Sequence, residues 1–146
     1  DCYIVINTLS GYRSGVLDPD GKEIVLPVTA TDSELGEALK QALQCSRTLK
    51  VEEVDAFFDY KLVAKNFSDW VDRMMLATGN KTKSKLFKTL KHCSVCWQEQ
   101  VITIEPFKHL KSDAYEGIKG ARVTISADSF SVELGKALRR SFDLCE

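Results

Sequence analysis

The sequence predicts an α+β domain, a mostly antiparallel sheet of about five strands packed with about four helices. Three observations carry this. Short β-rich runs are bounded by turn residues, two stretches place apolar residues at helical spacing, and strands and helices cluster along the chain instead of alternating strictly. At 146 residues the chain fits a single domain over 1–146, long enough to bury a core without disulfide or metal staples. Hydrophobic residues make up 44% and charged residues 28%, values that exclude the disordered and membrane classes.

Tyr3-Ile4-Val5-Ile6 reads as the first strand and Ile24-Val25-Leu26 as the second, stopped by Pro27, which cannot donate to a ladder. Between them Ser10-Gly11 and Asp18-Pro19-Asp20-Gly21 carry turn chemistry, so this segment reads as a long loop or a broad hairpin. From Glu34 the period changes. Leu35, Ala38, Leu39, Ala42 and Leu43 line one helical face, and Thr31 with Glu34 matches a capping box, in which each side chain satisfies the other's orphan N–H.

Residues 51–60 mix four acids with three aromatics and show no clean period, leaving helix and strand open. Ser68-Asp69-Trp70 is expected to open a helix running to Ala77, with Ser68 as N-cap and Gly79 as terminator. A basic amphipathic stretch follows from Thr82 to Lys91, with Leu86, Phe87 and Leu90 apolar. Ser94-Val95-Cys96-Trp97 and Val101-Ile102-Thr103-Ile104 form a hairpin pattern around a polar turn, ended by Pro106. Ala121 to Ile125 adds a strand, and Val132 to Cys145 a closing helix.

One internal echo stands out. Glu34-Leu35-Gly36-Glu37-Ala38-Leu39 recurs as Glu133-Leu134-Gly135-Lys136-Ala137-Leu138, each copy after a strand expected to contain a Val-Thr pair, Val28-Thr29 and Val123-Thr124. A helix-interior glycine costs about 1 kcal/mol relative to alanine, so Gly36 and Gly135 are expected where another backbone approaches closely.

The net charge of −1 conceals an asymmetry: residues 1–59 hold eleven acids against five bases, and residues 60–122 hold six acids against twelve bases. An acidic and a basic face are therefore both available. No apolar run approaches the roughly 18–20 residues of a membrane span, and no secretory leader is recognisable at residues 1–6. The five cysteines (Cys2, Cys45, Cys93, Cys96, Cys145) are odd in number and scattered, which suits a reducing, cytoplasmic setting.

Catalytic machinery is hard to find. Cys93-Ser94-Val95-Cys96 beside His92 has metal-ligand spacing, but a tetrahedral site needs four ligands and His109 stands alone elsewhere. A redox CxxC normally opens a helix, whereas this one leads into a β-rich run. No GxSxG, Gly-rich phosphate loop or HExxH is present. The expectation is a protein that is not an enzyme, with no cofactor and no metal.

Two segments suit binding. Glu52, Glu53, Asp55, Phe57, Asp59 and Tyr60 combine aromatic anchors with carboxylates that would mimic the phosphates a nuclease expects, although the aromatics could equally be core and the acids merely solvated. Lys81, Lys83, Lys85, Lys88 and Lys91, with Phe87 among them, form the alternative: a small nucleic-acid-binding module, or a solvated amphipathic helix.

Ser10-Gly11-Tyr12, Leu17-Asp18-Pro19-Asp20-Gly21, Glu34 to Leu39 with Cys45-Ser46-Arg47, Lys81 to Phe87 and Val101 to Pro106 resemble, in order across nearly the full chain, the immunity proteins of bacterial contact-dependent growth inhibition (CdiI). The resemblance implies an α+β protein that binds the C-terminal toxin domain of a CdiA-type effector, in several cases a metal-dependent nuclease, as a 1:1 complex. It also implies β-augmentation in some members, where a toxin hairpin extends the immunity protein's sheet. The matching motifs read as scaffold, so the resemblance transfers no contact residues.

Overall fold

The computed structural model describes residues 3–146, leaving Cys2 outside the described residues. Its elements in chain order are β1 (Tyr3–Asn7), β2 (Leu9–Gly11), β3 (Gly15–Leu17), β4 (Glu23–Pro27), α1 (Asp32–Gln44), α2 (Val51–Phe57), α3 (Tyr60–Thr78) and α4 (Lys83–Thr89), then β5 (Cys93–Gln98), β6 (Val101–Lys111), β7 (Ala114–Gly117), β8 (Val123–Ser126) and α5 (Ser131–Leu144). Every strand pair is antiparallel, which agrees with the expected α+β class, while strands and helices are more numerous than the five and four expected. The chain divides into two compact units, one of residues 1–28 and 38–79, the other of residues 29–37 and 80–146.

In the first unit β1 pairs with β4, placing Val5 opposite Val25, and β2 pairs with β3. Ile4, Ile6, Ala38, Leu39, Ala42, Leu49, Val71 and Met74 are its buried apolar residues. Thr8, also buried, donates from Oγ1 to Ala42 O at 2.8 Å and accepts from Lys22 N at 3.0 Å, so its hydroxyl is satisfied on both sides. Ser10 and Gly11 lie in β2, not in a turn, because the chain reverses one step later, at Tyr12 to Ser14.

α3 starts at Tyr60, nine residues before the expected start. Its cap is Asp59, whose Oδ1 accepts from Lys61 N and Leu62 N at 3.1 and 2.9 Å, so Ser68 lies inside the helix. Gly79 ends it in the left-handed region (φ 68°), as a terminating glycine does.

In the second unit the eleven-residue β6 is the spine. Its first half is flanked by β5 and β8, its second half by β7. Pro106 does not end this strand. Pro106 needs only its carbonyl in the ladder, and that oxygen accepts from Ile118 N at 3.0 Å. Ile102, Ile104 and Pro106 form the buried face of β6, joined in the core by Leu86, Phe87, Leu134, Ala137 and Leu138.

The glycine echo is structural. A Cβ on Gly36 would meet Ser131 O at 1.8 Å, and one on Gly135 would meet Asp32 O at 1.8 Å, a reciprocal crossing near the starts of α1 and α5. Each helix start uses the same acid: Glu34 Oε2 accepts from Thr31 N at 2.7 Å, and Glu133 Oε2 accepts from Phe130 N at 3.3 Å. Only the first box is reciprocal, with Thr31 Oγ1 accepting from Glu34 N at 3.2 Å, since Phe130 has no side-chain acceptor. Arg139 ties the crossing by donating from Nε to Asp32 Oδ1 at 2.7 Å and from Nη2 to Ala30 O. The strand-then-helix part of the echo holds for Val123-Thr124 in β8, whereas Val28 and Thr29 follow β4, because Pro27 ends that strand.

Candidate partner-binding site

The open question over residues 51–60 resolves as two helices broken at Phe58. Val51–Phe57 is α2, started by Lys50, whose N–H donates to Glu53 Oε2 at 2.9 Å, and Asp59 then caps α3. The acids Glu52, Glu53 and Asp55 and the aromatic Phe57 therefore share one short helix, followed directly by Asp59 and Tyr60.

No residue of α2 is buried, so little apolar area fixes it. An arginine clasp does so instead. Arg47 donates from Nε to Asp18 Oδ2 at 3.2 Å and from Nη1 to Glu53 Oε1 at 3.3 Å, while its guanidinium lies 5.2 Å from the Phe57 ring centroid. Its backbone is held too, with Arg47 N donating to Ser10 Oγ at 3.1 Å and Gly11 N donating to Arg47 O at 3.2 Å.

Asp18 is the buried anchor of this clasp, its side chain 1% exposed against 42% for Arg47. Burial alone would raise its carboxyl, but hydrogen bonds from Ser10, Asp20 N and Arg47, with the guanidinium charge, outweigh it and hold the group below the usual carboxylate range. Sequence reasoning read Asp18 and Arg47 only as parts of turn and scaffold motifs. The signal for Asp18 was present: an Asp opening an Asp-Pro-Asp-Gly turn can accept from the backbone N–H two residues on, as Asp18 Oδ1 does from Asp20 N at 3.0 Å.

The six expected site residues thus divide by duty. Glu53 is engaged in the clasp and the α2 start, Asp59 caps α3, and Phe57 is half-buried under Arg47 and edge-on to Phe58 at 5.4 Å. Glu52 and Asp55, three apart and so on one helical face, are exposed and enter no ion pair among the described residues. Tyr60 is 74% exposed, far more than an aromatic residue needs for capping or packing.

In the same unit a cleft of about 310 Å³ is lined by Asn7 and Thr8, by Leu17 to Glu23 in part, and by Asn66, Asp69 and Arg73. A two-pronged pair crosses it, Arg73 donating to the Glu23 carboxylate from Nε at 3.1 Å and Nη2 at 2.8 Å. Polar and partly self-paired, the cleft is poorly suited to enclosing a small apolar molecule.

The CxxC lies within β5, with Cys93 half-buried and Cys96 exposed, three residues apart and so on opposite faces. Among the described residues no three His, Cys, Asp or Glu side chains are grouped to hold a metal. The lysines of the alternative reading lie on and beside α4, where Lys81, Lys83, Lys85, Lys88 and Lys91 are exposed, Leu86 and Phe87 are buried, and Leu90 is half-buried. Phe87 is therefore core and is not available for stacking on a base. Among the described residues no helix is long and apolar enough to cross a membrane.

Known proteins resemble this chain along nearly its whole length. A sequence model of the CDI immunity protein family, CdiI, matches residues 1–145. The immunity protein CdiI-YPIII of Yersinia pseudotuberculosis is 34% identical over 159 aligned residues, covering 99% of this chain and 90% of its own. A solved Neisseria meningitidis protein of unknown function has a TM-score of 0.93 at 28% identity, covering 99% of this chain and 89% of its own. A chain of the CdiA-CT/CdiI toxin and immunity complex from Yersinia pseudotuberculosis has a TM-score of 0.85 at 30% identity, covering 99% and 95%. With a family model spanning both units and a relative above 30% identity, the chain belongs to the CDI immunity protein family, CdiI.

Proposed function

We propose that this chain binds and silences the cognate CdiA-type toxin domain in a 1:1 complex inside the cell, acting by occupancy and performing no chemistry of its own. The observation that carries the reading is the match, over nearly the full length of both chains, to a protein solved as part of a toxin and immunity complex. We further propose that the toxin is a nuclease and that Glu52, Asp55 and Tyr60, with Glu53, Phe57 and Asp59 supporting them, form part of the contact face. Exposed carboxylates on a clasped helix are suited to a basic, nucleic-acid-processing surface, and an exposed tyrosine beside them supplies an anchor.

The finer mode proposed is β-augmentation, in which a toxin strand adds to an open sheet edge. β1 pairs only with β4, and β5 and β8 each pair only with β6, among the described residues, so each has an outer edge with main-chain groups to offer.

Mixing the purified toxin domain with this chain tests the reading. A 1:1 complex should form, and nuclease activity should titrate to zero at one equivalent; activity persisting at excess would refute it. Amide hydrogen exchange of the complex should show protection along one of the open edges, and its absence from every strand would refute augmentation. The exposed lysines around α4, none in an ion pair among the described residues, favour a second reading as a nucleic-acid-binding module. That reading requires salt-sensitive DNA or RNA binding by the isolated chain, reduced by Lys83→Ala, Lys85→Ala and Lys88→Ala together.

A further inference from the structure

Within the second unit, two thiols far apart in sequence meet. Cys93, the first residue of β5, and Cys145, the C-cap of α5, have sulfurs 3.5 Å apart across a sequence separation of 52 residues. Cys145 Sγ also donates toward His92 O at 3.2 Å and Ser141 O at 3.4 Å, contacts that hold its sulfur beside the start of β5. The chain end is held there as well: Glu146 N donates to Phe107 O at 3.3 Å and His109 N to Glu146 O at 2.7 Å.

We propose that Cys93 and Cys145 form a reversible redox site, a dithiol that closes to an intramolecular disulfide and ties the last turn of α5 to β5. A disulfide bond is about 2.0 Å long, so closure asks the sulfurs to approach by about 1.5 Å. Rotation about the Cys93 and Cys145 side chains supplies such a movement, at the loss of the weak Cys145 contacts to His92 O and Ser141 O, and the C-cap position of Cys145 leaves the backbone there free to adjust. The other thiols do not compete structurally, since Cys45 and Cys96 make no sulfur contact among the described residues.

The oxidant class is a small disulfide such as oxidised glutathione. Cys145 thiolate attacks one of its sulfurs, forming a mixed disulfide and expelling one glutathione thiolate. Cys93 thiolate then attacks the Cys145 sulfur, forming the internal disulfide and expelling the second. Two cysteine thiols are oxidised, one glutathione disulfide is reduced, and the two cysteine protons end on two glutathiones. Burial, and then the neighbouring Cys145 sulfur, push the Cys93 thiol up, so little of it is thiolate and its attack is the slow step.

The test uses the full chain carrying Cys2→Ser, Cys45→Ser and Cys96→Ser, incubated with oxidised glutathione, alkylated and mapped by mass spectrometry. A peptide linked through Cys93 and Cys145, lost after dithiothreitol, is the expected result, together with a thermal midpoint raised by roughly 10 °C, as a long closed loop implies. Two freely alkylated cysteines, glutathione retained on both, or a link that lowers the midpoint would overturn the proposal. In the unsubstituted chain the same link should dominate, and pairing of Cys93 or Cys145 only with Cys2, Cys45 or Cys96 would overturn it equally.

Discussion

Alanine at Gly36 would place its methyl carbon 1.8 Å from Ser131 O, 2.6 Å from Ser131 C and 2.9 Å from Ser131 Cα, all backbone atoms of α5. Non-bonded carbon atoms settle about 3.5–4.0 Å apart, so the crossing helices must part by about 1 Å or more. Two effects of opposite sign compete. In a helix interior alanine is better than glycine by about 1 kcal/mol, whereas forcing apart a close-packed contact costs about 1–3 kcal/mol and more when no flexible side chain can yield. The obstacle here is backbone, so the net expectation is a loss of about 2 kcal/mol, or roughly 4–8 °C in thermal midpoint for a chain of this length. Gly135→Ala should behave alike, since its methyl would meet Asp32 O at the same 1.8 Å. Once one substitution has parted the helices the second meets less resistance, so the double variant should lose at least about 0.5 kcal/mol less than the sum. Urea unfolding of the four proteins measures all of this. Stabilisation by about 1 kcal/mol in either single variant would show that only helix propensity is at work and that the crossing is not close.

Asp18→Asn keeps the volume of the clasp anchor but turns an amide N–H₂ toward the Arg47 donors. It should cost about 2–3 kcal/mol, less than the roughly 3–5 kcal/mol of breaking a fully buried pair because the half-exposed Arg47 can regain water, and should speed amide exchange across Val51–Phe57. Unchanged exchange in α2 would refute the clasp. Asp18 also sets an acid limit: its folded carboxyl is held below the usual carboxylate range, so its stabilisation is present above that range and is lost as pH falls through the lowered value. Acid unfolding followed by circular dichroism should therefore be less steep in Asp18→Asn than in the parent, and identical profiles would count against it. Glu52→Lys with Asp55→Lys, which touch neither the clasp nor the α3 cap, should slow association with the toxin domain about tenfold at low salt with little change in dissociation, as surface plasmon resonance reads. Unaltered association would remove Glu52 and Asp55 from the proposed contact face.

What the chain discloses before folding depends on how far each signal extends. α1 and α5 were legible because an apolar stripe repeats over three turns, and hairpin β5–β6 because two β-rich runs flank a polar turn. β2, β3 and β7, of three, three and four residues, are too short to show a period, and β2 is built from residues whose usual reading is a turn. The α3 start was missed because Asp59 stands between two abutting helices, where aromatic and acidic residues of both blur the period, while Ser68 offers a plausible cap in mid-helix. Pro106 misleads because the rule against proline in strands concerns its missing N–H, and this ladder position needs only a carbonyl.

The candidate site was legible in composition but not in construction. The acidic and aromatic residues of 51–60 could be read as a face. The partner that fixes them, Arg47, reaches Asp18 across 29 residues and Glu53 across six, and no local pattern announces a contact of that kind.

Growth is the most direct readout of neutralisation by binding. Cells induced to make the cognate toxin domain should grow normally when this chain is co-expressed and should arrest when a non-cognate family member of similar fold replaces it. Arrest in the presence of this chain, with the protein folded and abundant, would contradict neutralisation by binding.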